Sequence, residues 1–284
     1  MKTVLITGAS GFVGQRFCVN NKDRYLIKTV SLQNAQIEDL DLSGVDVILH
    51  LAGIAHRMDK TDDSLYFQVN YELTKKLAEA AKQAGVGHFI FVSTIKVYGD
   101  DYELLTPETM CRPNDAYGKS KLMAEAALKD WETKDFIISI VRPPLIYGQG
   151  VKGNMQKLMG LVENRKYIPL GNINNKRSML GLDNFVALLD RVIETRKSGT
   201  FLIQDSEPVS TSRLISEIAK GKNIQIKLIS IPWVVRYTIK KIAPEIYKRL
   251  FGSLVVDDSA TRNLLNFEPP YSFEEGIRLM AKNN

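Results

Sequence analysis

The first two thirds of the chain alternate short apolar runs with amphipathic stretches. Apolar runs of about five residues predict buried strands, and apolar positions three or four apart predict helices. The alternation predicts an α/β fold, a doubly wound parallel sheet with helices on both faces. Strands are predicted at Thr3–Thr7, Leu26–Ser31, Val45–Leu49, His88–Ser93 and Ile137–Arg142. Helices are predicted at Gly11–Asn20, Asp63–Ala84 and Ala116–Trp131.

After about Gly148 this rhythm gives way to loops and shorter elements. Strands are predicted near Thr200–Gln204 and Ile224–Ile229, with a helix that begins at about Thr211 between them. We therefore expect a larger domain at residues 1–148, joined by later segments near 178–204. The remainder, residues 149–284, is expected to form a smaller C-terminal cap that binds a substrate.

One late segment, residues 231–251, mixes apolar with basic side chains. Such a segment can lie on a membrane surface, and it can equally form a lid over a pocket. Pro232 and Pro244 bound a short helix there, because proline is tolerated at the start of a helix and not in its interior. The lid is the interpretation that we prefer.

The composition is that of an ordinary soluble globular protein, with 44% hydrophobic and 25% charged residues among 284. The net charge of +6 is not gathered into a dense basic stripe, so nucleic-acid binding is not indicated, while an anionic substrate is compatible. Cys18 and Cys111 lack the spacing of metal ligands, which predicts a reduced cytoplasmic protein without a metal site. The apolar runs are too short for a signal peptide or a membrane span.

A glycine-rich turn follows the first strand and precedes the first helix. Its glycines have the spacing G-x-x-G-x-x-G, which allows a tight turn and brings the backbone close to a pyrophosphate. The helix N-terminus then offers unpaired N–H groups to the phosphates. A turn that merely needs flexible residues is the competing interpretation. The flanking strand and helix favour a Rossmann-like dinucleotide site, with contacts from Gly8, Ser10, Gly11, Phe12, Val13 and Gly14.

The second strand bears on which dinucleotide is bound. An acidic residue at its end would bind a free ribose 2′-hydroxyl, but residues 29–34 read TVSLQN. No arginine or lysine follows to bind a 2′-phosphate, although Arg16 could reach one from the first helix. We expect NAD or NADP, with NADP slightly favoured. The connection from Ser31 to Asp39 is also short for a helical crossover, so one helix of the pattern is expected to be missing.

Tyr117 and Lys121 stand four residues apart on a predicted helix, which places both side chains on one face. An ammonium beside a phenol favours the phenolate, so Lys121 is expected to lower the pKa of Tyr117. Thr94 ends a strand at the carboxyl edge of the sheet, where its hydroxyl can bind a substrate or merely cap a turn. His50 is interpreted as a packed strand-end residue. A dinucleotide and a titratable phenol in one domain predict hydride transfer coupled to proton transfer.

These residues together resemble the extended short-chain dehydrogenase/reductase family, specifically the NAD-dependent epimerase/dehydratases that act on nucleotide sugars. The motifs that carry the resemblance are Thr7-Gly8-x-x-Gly11-x-x-Gly14, the HLAG run at residues 50–53, Asn70, Val97-Tyr98-Gly99, Tyr117-x-x-x-Lys121 and Arg142-Pro143-x-x-x-Tyr147-Gly148. The resemblance covers nearly the whole chain. It implies a UDP-sugar substrate and a homodimer through the helices predicted at Asp63–Ala84 and Ala116–Trp131.

Position in the family pattern implies a role for each site residue. Thr94 matches the catalytic hydroxyl, Tyr117 the acid/base and Lys121 the residue that binds the nicotinamide ribose. Further cofactor contacts are implied at Asp39, Leu40, Leu51, Ala52, Gly53 and Pro143. Substrate contacts are implied at Thr94, Lys96, Asn154 and Arg177, the last two at the nucleotide diphosphate.

Within the family, stretches such as Ser93–Val97 and Val151–Asn154 resemble bacterial reductases of UDP-4-keto-6-deoxy-N-acetylhexosamines, which belong to polysaccharide assembly. This implies reduction of a C4 keto group. A UDP-hexose 4-epimerase shares every catalytic residue and is the alternative. A non-catalytic dinucleotide-sensing protein is a remote one, because such relatives usually lose the tyrosine or the lysine. Thr94 is followed by Ile95 and Lys96, not by the acidic pair that resembles 4,6-dehydratases, so dehydratase activity is not expected.

Overall fold

The computed structural model describes residues 1–33, 36–54 and 62–281. The strands within these ranges are β1 (Thr3–Thr7), β2 (Leu26–Val30), β3 (Val47–His50), β4 (His88–Val92), β5 (Leu104–Leu105), β6 (Ile137–Arg142), β7 (Leu145–Tyr147), β8 (Tyr167–Gly171), β9 (Met179–Gly181), β10 (Gly199–Leu202), β11 (Lys227–Ser230) and β12 (Val255–Val256). The α-helices are α1 (Phe12–Asn21), α2 (Asp63–Phe67), α3 (Leu73–Gln83), α4 (Ala116–Trp131), α5 (Asn154–Asn164), α6 (Leu182–Thr195), α7 (Thr211–Gly221), α8 (Trp233–Ile242), α9 (Pro244–Phe251), α10 (Ser259–Leu265) and α11 (Phe273–Ala281).

Six of the strands form one parallel sheet in the spatial order β2-β1-β3-β4-β6-β10. The chain passes from β1 outward to β2 and then crosses to β3 on the other side of β1, so the strand order reverses between β1 and β3. Open α/β sheets bind ligands in the crevice beyond the carboxyl ends of the strands at such a reversal. The predicted doubly wound α/β fold is confirmed.

Helices cover both faces of this sheet. α1 and α6 pack on one face, where Phe17 and Phe185 are fully buried. α3 and α4 pack on the other face, where Leu77, Ala124 and Phe89 of β4 are fully buried. Strands that are covered on both faces need apolar residues at successive positions, which explains the continuous apolar runs of the sequence.

A separate core lies in the second half of the chain. It joins α5, α7, α9 and α11 to the small β8–β11 sheet around residues such as Met159, Ile215 and Phe273. In contrast, α6 packs on the main sheet and β10 is one of its strands. Residues 182–202 therefore pack with the larger core, while the division into two domains, with its boundary at residue 148, stays a prediction.

Two predicted elements differ from the structure for reasons of hydrogen bonding. The helix predicted at Asp63–Ala84 is interrupted by a π-helical turn at Gln68–Glu72, which separates α2 from α3. The strand predicted at Ile224–Ile229 begins only at Lys227, because the Ile224 amide donates to the Ala219 carbonyl (2.9 Å) at the end of α7. That amide is therefore used by the end of a helix and not by a β-ladder.

The connection between β2 and β3 is as short as expected. Its described residues contain a single turn of 3₁₀ helix, Ile37–Asp39, and no α-helix. The helix expected between Pro232 and Pro244 is also present, as α8. No helix in the described ranges is long and apolar enough to span a membrane.

A buried ion pair fixes α4 to β6. The side chains of Arg142 and Glu125 are only 4% and 1% exposed, and Arg142 Nε donates to both carboxylate oxygens at 3.0 and 3.2 Å. The guanidinium also stacks over the Tyr98 ring, 4.7 Å from its centre. Loss of one partner of such a pair leaves an uncompensated buried charge, which costs about 3–5 kcal/mol. The helix that carries Tyr117 and Lys121 is thus held firmly against the sheet.

Candidate active site

The glycine turn after β1 is a close-packed cradle. Gly8 has a φ of +73°, and a Cβ at this position would lie 2.8 Å from the Ala52 nitrogen at the end of β3. A Cβ at Gly14 would lie 2.5 Å from the Gly8 carbonyl oxygen and 2.7 Å from Ala9 Cα. Both positions require glycine, because the contacting atoms belong to the backbone and cannot move away cheaply.

This cradle fits a dinucleotide. The turn leads directly into α1, which begins at Phe12 and has no acidic residue in its first turn. Within the described residues no side chain caps the first N–H groups of α1, so these groups and the positive end of the helix dipole are directed at the space beside the turn. Ser10, Phe12 and Val13 lie in or directly after the turn, as the sequence predicts.

The end of β3 connects the glycine turn to α4. His50 is fully buried, and its ring nitrogens lie 2.6 Å from Thr7 Oγ1 and 2.9 Å from Thr74 Oγ1. Burial, together with the charge of Lys121, lowers the pKa of His50 to about 3. The histidine is therefore a neutral, hydrogen-bonded packing residue, which confirms its interpretation as such. Leu51 and Ala52 follow it beside Gly8.

Asn70 holds the loop that follows β3 against α4. Its side-chain amide accepts from the Ile54 nitrogen (2.8 Å), donates to the Ile54 carbonyl (3.1 Å) and donates to Ser120 Oγ (3.1 Å). Gly53 fits between Asn70 and Lys121, since a Cβ there would lie 2.9 Å from Asn70 Oδ1 and 3.2 Å from Lys121 Nζ. The HLAG motif and the Tyr-x-x-x-Lys motif thus meet at one place.

Thr94 and Tyr117 come together at the carboxyl edge of the sheet. The Thr94 side chain hydrogen-bonds the Tyr117 phenol, and its Oγ1 also accepts from the Lys96 nitrogen (3.2 Å). Thr94 therefore caps the 3₁₀ helix Ile95–Tyr98 and also contacts the tyrosine, while its contact to a substrate stays a prediction. The neighbouring Ser93 hydroxyl is buried and has no hydrogen-bond partner among the described residues.

The pKa of Tyr117 is raised to about 12, which is the opposite of the expectation from sequence. Burial raises it most, the hydrogen bond from Thr94 lowers it, and Asp115 and Tyr66 raise it; in the described part of the chain Lys121 is not among the groups that shift it. The expectation that Lys121 lowers this pKa is therefore wrong for this structure. Tyr117 is a protonated phenol at neutral pH.

The reason is where the Lys121 amine lies. Lys121 Nζ donates to the Val92 carbonyl (2.9 Å) and lies 4.5 Å from the centre of the Phe91 ring, on the side of β4. Burial lowers the pKa of Lys121 to about 8, although Glu125 one helical turn later raises it. Lys121 is thus a buried ammonium near its titration point, supported by a carbonyl and an aromatic face.

Of the implied substrate residues, Lys96 is ion-paired with Asp100, and Arg177 interacts electrostatically with the same carboxylate. Lys96 Nζ lies 2.9 Å from Asp100 Oδ1 and 3.7 Å from Asp115 Oδ2. Burial raises the pKa of Asp100, but Lys96 and the more distant Lys248 lower it further, so that it stays ionised. Burial lowers the pKa of Arg177, and the charge of Asp100 raises it. Arg177 Nη1 donates to the Gly252 carbonyl (3.2 Å) and to the Lys248 carbonyl (3.4 Å) at the end of α9.

The remaining candidates are more dispersed. Asn154 is exposed at the first position of α5, a helix of the second half of the chain, and follows Gly153 with a φ of +71°. The carbonyl of Pro143 accepts from the Ile95 nitrogen (3.2 Å). Asp39 and Leu40 end the 3₁₀ helix between β2 and β3, which packs toward α3. Their roles beside the adenine, and that of Asn154 at a diphosphate, stay predictions.

Arg16 does not fit the role that its position suggested. Its Nε lies 2.6 Å from Asp183 Oδ1 at the start of α6. A guanidinium that is paired with a carboxylate has less charge to offer a 2′-phosphate. The expectation that Arg16 reaches such a phosphate therefore finds no support in the structure.

Two contributors were not recognised as site residues from the sequence. Tyr66 of α2 packs at 6.1 Å, ring centre to ring centre, against Tyr117. Glu125 lies four residues after Lys121 and influences its charge. The i, i+4 spacing of Glu125 from Lys121 is a signal that the sequence contains, whereas the Tyr66 contact depends on the π-helical turn. No group of three or more metal-ligating side chains occurs within the described ranges.

Comparison with known proteins agrees with this geometry. The model of the NAD dependent epimerase/dehydratase family matches residues 4–203. The chain is 33% identical to a UDP-glucose 4-epimerase of Vibrio cholerae, over 99% of this chain and 95% of that protein. It is 26% identical to an N-acetyl-alpha-D-glucosaminyl-diphospho-ditrans,octacis-undecaprenol 4-epimerase of Escherichia coli O157:H7, over 96% and 92%.

A solved structure shares the fold. The UDP-glucuronic acid 4-epimerase from Bacillus cereus, in complex with NAD, superposes with a TM-score of 0.78 at 22% identity. The match covers 100% of this chain and 96% of that one. The correspondence therefore extends over both the main sheet and the second core.

Gly14→Ala tests the cradle. The added Cβ would contact the Gly8 and Ala9 backbone, so the turn must shift away from the phosphate position, and we expect at least about tenfold weaker dinucleotide binding. Isothermal titration with NAD and NADP measures it. Gly160→Ala is the matched control, because its Cβ meets nothing within 4 Å inside α5. That control should bind normally and gain about 0.5–1 kcal/mol of stability. Equal affinities in the two variants would contradict a phosphate site here.

Lys121→Met tests the buried ammonium. A lysine with a pKa of about 8 when folded and about 10.5 when unfolded binds fewer protons in the folded chain between these values. Its presence therefore makes the free energy of unfolding rise with pH in that window. The wild-type value minus the variant value should grow by about 2 kcal/mol from about pH 7.5 to about pH 9.5, in urea titrations. Lys119→Met, on the exposed side of α4, controls for the loss of a lysine charge. A constant difference would refute the lowered pKa.

Proposed function

The chain belongs to the NAD-dependent epimerase/dehydratase family, and we propose that it is a 4-epimerase of a diphosphate-linked sugar, with a UDP-hexose as the substrate. The observation that carries the proposal is the convergence of Thr94, Tyr117 and Lys121 beside the glycine cradle. Both relatives named above, which this chain matches over nearly their whole lengths, are named as 4-epimerases. Their names support epimerisation over a one-way reduction.

The residues have complementary roles in this reaction. Tyr117 takes the proton of the C4 hydroxyl as C4 loses its hydride, and returns the proton when the hydride comes back on the other face. Thr94 hydrogen-bonds the same oxygen and stabilises its developing charge. The nicotinamide ring of a bound dinucleotide would accept and return the hydride, and its positive charge when oxidised would favour the phenolate. Lys121, whose amine lies beside the Val92 carbonyl, would hold the nicotinamide ribose.

A 4-keto reductase is the second candidate, and one observation favours it. With a pKa of about 12, Tyr117 carries its proton at neutral pH, which is the protonation state that a reductase requires at the start of its reaction. Reduction of a C4 ketone needs only the donation: hydride arrives at C4 and the phenol protonates the oxygen. The stretches Ser93–Val97 and Val151–Asn154 support the same candidate, with a UDP-4-keto-6-deoxy-N-acetylhexosamine as substrate for polysaccharide assembly. A catalytically inactive dinucleotide sensor is not supported, since Thr94, Tyr117 and Lys121 are all present.

The cofactor is a nicotinamide dinucleotide. A preference for NADP rests only on the lack of an acidic residue at the end of β2, because Arg16 is paired with Asp183.

The sugar diphosphate would lie near Asn154 and Arg177, with Lys96 at its sugar side. The sugar would compete with Asp100 for Lys96, and the diphosphate would compete with two main-chain carbonyls for Arg177. A homodimer through α2, α3 and α4 and a cytoplasmic location remain proposals, and light scattering tests the dimer.

Three sets of substrates separate the candidates. One sample of purified protein is denatured, and the dinucleotide that it releases is quantified. A second, native sample is given UDP-glucose or UDP-N-acetylglucosamine without added cofactor, N-acetylglucosaminyl-diphospho-undecaprenol under the same conditions, and UDP-4-keto-6-deoxy-N-acetylglucosamine with NADH or NADPH. Bound NAD and interconversion of a UDP-hexose support the proposal. If only the keto sugar reacts, with stoichiometric oxidation of the added cofactor, the protein is a 4-keto reductase. If only the lipid-linked sugar is converted, the protein is an epimerase whose substrate is carried by undecaprenol diphosphate.

Tyr117→Phe tests the acid/base role. Removal of the phenol oxygen removes the proton transfer, so kcat on the accepted substrate should fall at least about a hundredfold. Dinucleotide binding should stay intact, because the glycine cradle is unaffected. Tyr167→Phe removes the same atom from an exposed position in β8 and should leave kcat unchanged. A Tyr117→Phe enzyme that turns over normally would exclude Tyr117 from the chemistry.

A further inference from the structure

The outer side of α8 carries an apolar surface that the proposed reaction does not use. Trp233 is 77% exposed and Ile242 79% exposed, and Val234 and Tyr237 are more than half exposed. Ile246 of α9 is 53% exposed beside them in sequence. We call these five residues the α8 surface. No residue of α8 is buried, so the helix contributes an unusually large apolar area to solvent for its length.

The α8 surface stands on an ordered base. The Arg236 guanidinium lies 4.8 Å from the centre of the Phe251 ring, and Lys240 Nζ lies 5.7 Å from that of Tyr247. These two aromatic rings stack at 5.0 Å, and Phe251 is buried in the core of the second half of the chain. The side of α8 that contains Arg236 and Lys240 is thus held by α9, which leaves the apolar residues on the other sides of the helix.

The surface is surrounded by positive charge. Residues 231–251 contain five basic side chains and a single acidic one, Glu245. Lys240, Lys241 and Lys248 are exposed, and Lys241 Nζ lies 5.8 Å from the centre of the exposed Tyr237 ring. Bulky apolar side chains with flanking lysines are the composition of helices that lie at a lipid–water interface.

We propose that the α8 surface docks on an anionic phospholipid bilayer. Trp233 and Ile242 enter the region between headgroups and acyl chains, and Lys240, Lys241 and Lys248 contact the lipid phosphates. A helix of ten residues that is too short to span a bilayer lies flat in this position. Each basic residue near an anionic membrane surface strengthens the attachment, and salt weakens that part of it.

Two other occupants fit the surface less well. A lid closing on a sugar diphosphate would present Val234, Ile242 and Ile246 to a polar, charged ligand that has no apolar group to match them. A second copy of the chain, joined through the same surface by a two-fold axis, would bring the lysines of both copies together. An anionic bilayer matches the apolar residues and the charges at once.

Docking would place the implied diphosphate site close to the lipid. Arg177 donates to carbonyls at the C-terminal end of α9, a helix of eight residues that begins beside α8. At 1.5 Å per residue, α9 spans only about 12 Å. The docking itself does not depend on the proposed reaction, because a UDP-hexose epimerase and a reductase would both attach through it.

Vesicle sedimentation tests the proposal with the full chain. The protein is mixed with vesicles of phosphatidylcholine alone or with about a third phosphatidylglycerol. We expect it to sediment with the anionic vesicles and to be released as salt is raised. Lys240→Glu/Lys241→Glu should weaken this partitioning at least about tenfold, and Trp233→Ala should weaken it several-fold. Lys134→Glu/Lys197→Glu, an exposed pair with the same change in net charge, should sediment as the wild type does.

Fluorescence provides a second measurement that requires no disruptive variant of α8. The chain has two tryptophans, so Trp131→Phe leaves Trp233 as the only one. Its emission should shift to the blue when anionic vesicles are added and should stay unchanged with neutral ones. Circular dichroism and melting temperature verify that each variant is folded.

Three results would overturn the proposal. The first is the absence of both sedimentation and spectral shift with anionic vesicles. The second is equal loss of binding in the α8 pair and the Lys134/Lys197 pair, which would indicate attraction by net charge alone. The third is a protein that ignores vesicles while Trp233→Ala changes either the KM for the sugar or the mass in solution, which would assign the surface to a lid or to a second copy. A wild-type protein that binds anionic vesicles but does not interconvert UDP-hexoses would count against the proposed reaction only.

Discussion

The placement of α4 is the constraint on which the site depends. This one helix supplies Tyr117, Ser120 and Lys121, and it must present them at the carboxyl edge of the sheet while its outer side stays exposed. The pair between Glu125 and Arg142 fixes its rotation and height, because a bidentate contact tolerates little displacement in either direction. Asn70 fixes the same helix from the β3 side through Ser120. Two independent attachments on opposite sides make the geometry of the phenol insensitive to loops elsewhere.

The electrostatics of the site are set by burial more than by pairing. Tyr117 and Lys121 are driven toward their neutral forms, with pKa values of about 12 and about 8, because both lie where water is scarce. A bound charged ligand would change the pKa values of both side chains, since a shift of one pKa unit needs only about 1.4 kcal/mol of interaction. The motif alone suggests a lysine that acts directly on its tyrosine. The structure instead shows two groups that respond separately to the same low polarity.

Sequence was a reliable guide to most features that depend on neighbours in the chain, with the π-helical turn and the start of β11 as the exceptions. The strands of the main sheet, the glycine cradle and the packed role of His50 all follow from local runs and their spacing. Features that depend on distant residues did not follow. The pairing of Arg16 with Asp183 joins positions 167 residues apart. The Lys121 amine turned out to bond the Val92 carbonyl, and no spacing rule could indicate which way a flexible side chain turns once it is buried.

The π-helical turn at Gln68–Glu72 allows one continuous helical segment, α2 to α3, to contact the candidate site at one end and the core at the other. Each residue of an α-helix turns the chain by about 100° around the helix axis. One extra residue in a wider, π-helical turn therefore rotates the residues before the turn around the axis relative to those after it. Tyr66, ahead of the turn, faces the phenol of Tyr117, while Leu77 and Ala81, behind it, face the core. Removal of a single residue here would restore an unbroken helix and swing Tyr66 out of phase with the site. The spacing between neighbouring motifs is therefore a functional parameter of this chain, distinct from the identity of any residue in them.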